Sequence, residues 1–305
     1  MSAGRATGYR LLGGGMDYVL HLRPAEWPIM AAHTAVGYVL ATGFAGALSP
    51  DRFAPGLLGI ALWVVCLNGG TLALNSAYDR DEGDVAYLRS PPPPPRKLAG
   101  VSLALMALGQ LLALLLPARY AAAYAVCVLL SVLYSVPPVR LKAVAGADWV
   151  INMWGFGTLT PYAGHATSGL PLDGPQGLVL LAFCPLFAAL YPLTQLYQLE
   201  EDTRRGDRTL AVVLGVERSL DVALAAALLA FAVFGLAGAR SGWEGRDDLW
   251  RWGLLAAALA AWAAVLLPWR AGHRRLQPAD HQRGMYRALG AWAVTDVAVL
   301  LAWAT

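Results

Sequence analysis

Long apolar runs alternate with short charged segments along almost the whole chain. A helix that spans a bilayer needs about 20 mainly apolar residues. The runs predict helices over Trp27–Leu48, Leu57–Tyr78, Leu98–Leu116, Tyr120–Val136, Trp149–Thr167, Gly177–Leu199, Leu220–Ala239, Trp250–Trp269 and Tyr286–Trp303. Gly and Pro inside several of them do not exclude helix in lipid, where neighbouring groups satisfy freed backbone atoms. The predicted fold is therefore all-α, a polytopic membrane bundle of about nine transmembrane helices. Residues 1–22 are rich in Gly and Arg and lack the apolar core of a signal peptide, so they read as a flexible cytosolic tail. Residues 23–305 then form one transmembrane domain.

Composition supports lipid as the solvent. Hydrophobic residues make up 57% of the chain and charged ones only 14%, where soluble domains carry about 25% charged residues. Mean hydropathy is +0.50. A net charge of +3 gives no reason to expect a nucleic-acid partner. Cys66, Cys127 and Cys184 lie within apolar runs at spacings that fit no zinc or haem motif, and they read as small core residues.

The basic residues predict orientation. With the N-terminus inside, 18 of the 23 Lys and Arg residues fall in inside segments. Only Arg52, Arg119, Arg240, Arg246 and Arg251 fall outside. Cytoplasmic loops carry this excess, so the N-terminus is expected in the cytoplasm of a bacterial-type inner or plasma membrane.

Two acidic clusters interrupt the apolar pattern. One runs from Asn75 through Asp79, Asp81 and Glu82 to Asp84, at the inner end of the second predicted helix. The other runs from Gln198 through Glu200, Glu201 and Asp202 to Asp207, at the inner end of the sixth. Asn75 and Asp79 share one helix face, as do Gln198 and Asp202. Both helices run in the same direction, so the clusters meet one membrane surface, as in two similar halves of a repeat-built membrane protein. Solvated helix ends would look alike singly; two parallel clusters favour carboxylates facing each other across a cavity. Such carboxylates suit Mg²⁺, which commonly bridges acids to substrate phosphates, and a diphosphate leaving group needs that neutralisation. A third inner segment, Tyr134-Ser-Val-Pro-Pro-Val-Arg140-Leu-Lys142, is either a helix stop with basic anchors or a source of phosphate contacts.

In order and spacing these segments resemble the UbiA superfamily of intramembrane prenyltransferases. The family's first motif reads Asn-Asp-x-x-Asp-x-x-x-Asp; Asn75 and Asp79 match it, while Ser76 and Gly83 stand where it has acids. Asp81, Glu82 or Asp84 is left to replace the missing carboxylate. The second motif resembles Asp-x-x-x-Asp followed by Gly and Thr-Leu; Asp202, Gly206, Thr209 and Leu210 match, and Gln198 takes the first acid's place. Tyr134 to Arg140 resembles the stretch after the fourth helix, and Arg23-Pro24 resembles the approach to the first. These departures suggest a divergent branch.

The resemblance implies Mg²⁺-dependent transfer of a prenyl group from an isoprenoid diphosphate to an aromatic or lipid-like acceptor within the membrane. It implies Asp79, Asp202, Arg140 and Lys142 as catalytic residues, and Asn75, Tyr134, Gln198, Arg23 and Arg205 as substrate-binding ones. Metal ligands would come from Asn75, Asp79, Glu82, Asp84, Glu201 and Asp202. A terpene cyclase on the same fold and a non-enzymatic transporter or scaffold are the alternative readings.

Several other residues carry weaker expectations. Asn68 and Asn152 are polar inside predicted spans and either line a cavity or bond neighbouring helices, the latter being favoured. Asp296 is an intramembrane acid with no partner near in sequence. His33 and His165 read as packing residues, and Trp154 is a candidate ring beside a cationic intermediate. Pro91–Pro95 forms a stiff rod that either braces a lid over the site or merely spaces two helices.

Overall fold

A computed structural model describes residues 3–79 and 83–304. It contains twelve α-helices and, among the described residues, no β-strand. They are α1 (Ala3–Leu12), α2 (Gly15–His21), α3 (Trp27–Ala47), α4 (Pro50–Asp79), α5 (Leu98–Ala113) and α6 (Ala118–Ser135). Then follow α7 (147–167), α8 (Gly174–Gln195), α9 (Leu199–Arg205), α10 (Leu210–Arg240), α11 (Leu249–Gly272) and α12 (Pro278–Ala304).

Among the described residues, α3, α4, α6, α8, α10, α11 with its flanking turns, and α12 are long and apolar enough to cross a membrane. Apolar α5, shorter at 16 residues, and α7 bring the rods to the nine that the hydropathy pattern predicts. The segment expected as a tail carries α1 and α2, and His21 is buried.

Local sequence explains where the rods begin. Asp173 precedes Gly174-Pro175, and its carboxylate accepts from the Gln176 N–H at 2.7 Å, capping α8 with Pro in the first turn. Thr209 caps α10 in the same way through the Val212 N–H. α3 and α7 approach closely because Gly37 and Gly164 have no side chains. A Cβ on Gly37 would lie 1.6 Å from the Pro161 carbonyl oxygen, and one on Gly164 would lie 1.8 Å from that of Thr34. Small residues permit such backbone contact between membrane helices.

The apolar core falls into two clusters. One packs α8, α10, α11 and α12 against Val36 and Leu40 of α3. The other packs α4, α5, α6 and α7. A cavity of about 260 Å³ draws its wall from both clusters. One water needs only about 10–15 Å³, so this is a chamber for a ligand and not a packing defect. Two single-stretch π-helical segments face it, Leu62–Gly69 inside α4 and Met153–Leu159 inside α7. Such bulges are common at functional sites.

Asp296 does have a partner. Its carboxylate lies 3.0 Å from Nδ1 of His33, and both side chains are buried. Nε2 of His33 faces the Gly157 carbonyl oxygen at 3.3 Å in the α7 bulge. The pair thus ties α3, α12 and α7 together at membrane depth, with Phe183 and Trp292 edge-on to the imidazole.

Candidate active site

The acidic ends of α4 and α9 meet at one end of the cavity, as their parallel sequence positions predict. Asp79 closes α4 and is 6% exposed. Lys142 Nζ donates to its Oδ2, and Arg140 Nη2 donates to its Oδ1 at 3.2 Å. Lys142 also reaches Oδ1 of Asn75, one turn earlier on α4, at 3.4 Å. Asp202 lies in the short helix α9 and is 6% exposed. Arg205 Nη2 donates to it at 2.8 Å, and Arg205 Nη1 donates to the Asp79 carbonyl oxygen at 3.3 Å. One guanidinium therefore spans both acidic helix ends. Burial pushes the Asp202 carboxyl above its ordinary range, and the Arg205 hydrogen bond and charge oppose that push.

Asn75, Asp79, Lys142, Gln198, Asp202, Arg205, Tyr134 and Arg23 all line the cavity. Three expected site residues lie off that wall. Arg140 stands behind the wall: it donates to both oxygens of Asp207, at 2.5 and 3.1 Å, as well as to Asp79. Glu201 lies 3.6 Å from Arg205, off the cavity wall. Asp84 accepts from the Ser90 N–H at 2.8 Å and closes the turn of the loop after α4. Glu82, with Arg80 and Asp81, lies outside the described residues. A Cβ on Gly83 would stand 3.1 Å from Oε2 of Glu201, so Glu201 fills the space that an acidic side chain at position 83 would need.

The loop 83–90 walls the cavity with Val85, Ala86 and Tyr87. It is held from several sides. Arg23 donates to the Ala86 carbonyl at 3.4 Å, Gln198 to that of Asp84 at 3.4 Å, and Tyr286 accepts from the Tyr87 N–H at 3.2 Å. Arg5 of α1 donates to the carbonyls of Arg89 and Ser90, and His21 of α2 faces that of Pro92 at 3.1 Å. The polyproline stretch is thus braced by the N-terminal helices. Arg23, Tyr87, Ser90 and Arg140 are the non-glycine residues with positive φ among those described. Such backbone strain concentrates at functional sites.

Away from the charged end the wall is apolar and aromatic, with Trp63, Phe156, Phe187, Leu190, Leu289 and Trp292. Trp154 is 41% exposed and absent from that wall, because its position in the α7 bulge turns Phe156 to the cavity instead. Asn68 and Asn152 both line the cavity, so for Asn68 the helix-bonding expectation gives way. Asn152 also donates to the Asp148 carbonyl, one turn back on its own helix.

Sequence reasoning gave no role to two buried acids, Asp207 of the second acidic cluster and Asp148. Asp207, 3% exposed, anchors Arg140. Asp148, fully buried, accepts from Gln195, from the backbone N–H groups of Gly146 and Leu210, and from Tyr191, which meets the Tyr134 hydroxyl at 2.9 Å. The available signal was an acid directly after a glycine-terminated helix for Asp207, and an acid at a helix start for Asp148.

Residues 30–289 match the profile of the UbiA prenyltransferase family. The chain belongs to that family. A UbiA homologue from Archaeoglobus fulgidus bound to DMAPP and Mg²⁺ shares the fold, with a TM-score of 0.64 at 20% identity over 93% of this chain and 99% of that one. The same homologue bound to GPP and Mg²⁺ gives 0.63 at 20% identity, over 93% and 99% of the two chains. Digeranylgeranylglyceryl phosphate synthase gives 0.66 at 15% identity, over 94% and 97%. No curated protein matches significantly. In this UbiA family member the matched region begins within α3 and ends within α12, so all seven described helices long and apolar enough to cross a membrane fall wholly or partly inside it.

Proposed function

We propose that this UbiA family protein is a Mg²⁺-dependent prenyltransferase, moving a prenyl group from an isoprenoid diphosphate to an aromatic or lipid-like acceptor inside the membrane. The observation that carries this reading is the asymmetry of the cavity. Carboxylates and cations from the ends of α4 and α9 and from the segment after α6 converge at one end, and the rest of the wall is mainly apolar and aromatic, with polar interruptions such as Asn68. That pairing suits a ligand with a diphosphate head and a hydrocarbon tail.

The donor set fits Mg²⁺. Asp79 and Asp202 are hard oxygen donors that line one cavity, with Arg205 reaching both helix ends. Among the described residues no three His, Cys, Asp or Glu form a metal cage of their own. Mg²⁺ typically needs none, being held by one or two carboxylates together with substrate phosphates. The Archaeoglobus homologue binds DMAPP and GPP with Mg²⁺. Asp79 and Asp202, with the Asn75 amide, would hold the cation here. When bound, it supplies charge neutralisation to the departing diphosphate.

The chain's own residues do the rest. Lys142 and Arg205 present donors at the cavity end and pair with diphosphate oxygens in the bound state. Arg140 and Asp207 hold Asp79 in place from behind. The aromatic wall excludes water from an allylic cation, and ring faces of Trp63 and Trp292 stabilise it.

The inside-heavy distribution of basic residues supports a cytoplasmic N-terminus and a charged end opening to the cytoplasm. The same reading makes residues 1–22 a cytosolic segment and 23–305 the prenyltransferase domain. A cysteine placed at exposed Ser90 should react with membrane-impermeant thiol reagents only from the cytoplasmic face; labelling from the outer face alone overturns the orientation.

The functional test is product analysis. Protein in nanodiscs is incubated with geranyl, farnesyl and geranylgeranyl diphosphate, Mg²⁺ and membrane lipid extract. Prenylated lipid and released diphosphate support transfer. Cyclic hydrocarbon formed without extract establishes the cyclase reading instead. No diphosphate release from any donor overturns the enzyme reading in favour of a scaffold.

A further inference from the structure

The cavity has a second polar region that the diphosphate end does not use. Glu26 directly precedes α3 and lines the cavity. Among the described residues it forms no ion pair, and the Asn68 amide is one of the side chains beside it. Asn68 is 3% exposed, sits in the π-helical segment of α4 and also lines the cavity. Neither its Nδ2 nor its Oδ1 has a hydrogen bond of good geometry among the described residues. A buried amide with the Glu26 carboxyl as its polar neighbour, and without a well-formed bond at either atom, is a ready partner for a ligand hydroxyl, which can donate to one atom and accept from the other.

The surroundings of Glu26 suit proton uptake. Arg23 lies on the preceding turn, Asn68 comes from α4 and Tyr87 from the loop 83–90, and Tyr87 in turn has Tyr197 from the segment after α8 and Tyr286 from α12 beside it. Burial pushes the Glu26 carboxyl up to about 7, with Arg23 and Asn68 opposing. Burial likewise raises the Tyr87 hydroxyl, so that group stays neutral beside it. A carboxyl of this kind exchanges its proton near neutral pH, as a general base must.

We propose that Glu26 and Asn68 form the acceptor subsite: the Asn68 amide orients an alcohol or phenol hydroxyl, and the Glu26 carboxylate takes its proton. The assignment rests on the prenyltransferase reading of the same cavity. In the step, the bond from the allylic carbon to the diphosphate oxygen breaks and its electron pair leaves on the diphosphate. The acceptor oxygen bonds to that carbon, its O–H bond breaks, and the proton passes to a Glu26 oxygen. Charge and atoms balance without another reactant. The donor binds through the Asp79 and Asp202 end, so the two substrates have separate recognition groups.

The test uses the full chain in nanodiscs and the apolar carbodiimide DCC, which modifies protonated carboxyls in apolar surroundings, with peptide mass spectrometry as readout. Glu26 should be labelled below neutral pH and progressively less as pH rises through about 7. 1-Decanol should suppress labelling at least tenfold more effectively than its methyl ether, and Asn68→Leu should abolish that difference while leaving Glu26 labelled. Absence of label at Glu26 in acid, or equal protection by alcohol and ether, overturns the subsite. In whatever transfer reaction the product analysis identifies, Glu26→Gln should lower kcat by about 100-fold with KM for the donor little changed; unchanged kcat overturns the base. Binding of farnesyl thiodiphosphate with Mg²⁺ separates the two readings. It should survive Glu26→Gln and be lost in Asp79→Asn. If the parent does not bind it, the prenyltransferase reading falls, and the subsite assignment with it, whatever the carbodiimide labels.

Discussion

Arg140 grips both carboxylate oxygens of Asp207, at 2.5 and 3.1 Å, across a sequence separation of 67 residues. The contact joins the segment after α6 to the segment after α9, and Arg140 passes the constraint on to Asp79. Bidentate pairing of this type fixes orientation as well as charge.

Asp207→Ala should therefore weaken the site without touching substrate. The side chain of Arg140 is 24% exposed, so the pair is partly screened. A loss of about 1–3 kcal/mol is expected for leaving its partner unpaired. Thermal unfolding in detergent should show a lowered Tm, and Arg140→Lys should not preserve stability, because an ammonium cannot reproduce the fork.

The same pair sets an acid limb. Burial alone would raise the Asp207 carboxyl, but the Arg140 hydrogen bonds and the charges of Arg140, Lys142 and Arg205 outweigh it and hold the carboxyl below its ordinary value. The contribution to stability is therefore present above the unfolded carboxyl's pKa of about 3.9 and is lost as pH falls through the lower folded value. The parent should lose Tm faster than Asp207→Asn on acidification below about 4; parallel slopes would remove Asp207 from the account.

Asp79→Asn and Asp202→Asn should each reduce Mg²⁺-dependent diphosphate release by about 100-fold or more, as loss of a fixed electrostatic contact to a transition state does. Glu200 is exposed and off the cavity wall, so Glu200→Gln should stay near parental. Near-parental release in both Asp variants would refute the site.

Gly83→Asp restores the family's acid at that position, yet it should impair the protein. The new side chain would meet Oε2 of Glu201, 3.1 Å from its Cβ, with like charge. The double variant Gly83→Asp/Glu201→Ala should recover activity if Glu201 occupies the place of the missing carboxylate. Equal loss in the single and double variants would contradict that exchange.

His33 and Asp296 should behave as a unit. Asp296→Leu leaves a buried imidazole without its acceptor and should cost about 1–3 kcal/mol. His33→Phe/Asp296→Leu should recover part of that loss, because replacing both partners by apolar groups avoids the orphaned polar atom. Additive losses in a double-mutant cycle would show that the two act independently.

How much of this was legible along the chain depends on how locally each feature is encoded. Hydropathy over single helices and Pro and Asp caps are properties of short windows, and they were sufficient for the membrane class and the approximate number of rods. The shared direction predicted for α4 and α8 likewise brought Asn75, Asp79, Gln198 and Asp202 to one cavity from spacing alone. The motif order was enough to identify the family. The roles inside the site were another matter. Gln198, standing at an acid's position, was expected at the substrate and instead also holds the Asp84 carbonyl. Arg140, expected in the site, braces it from behind.

The tertiary structure alone decided which polar groups meet. His33 and Asp296 are 263 residues apart, Arg140 and Asp207 are 67 apart, and Glu26 faces Asn68 from another helix. In lipid, hydropathy commits each segment to helix but says nothing of rotation about its axis, because the tails around it are as apolar as its own side chains. That rotation is settled by close contacts such as Gly37 against Pro161 and Gly164 against Thr34 and by the need of each buried charge for a partner, and both exist only once the helices have packed.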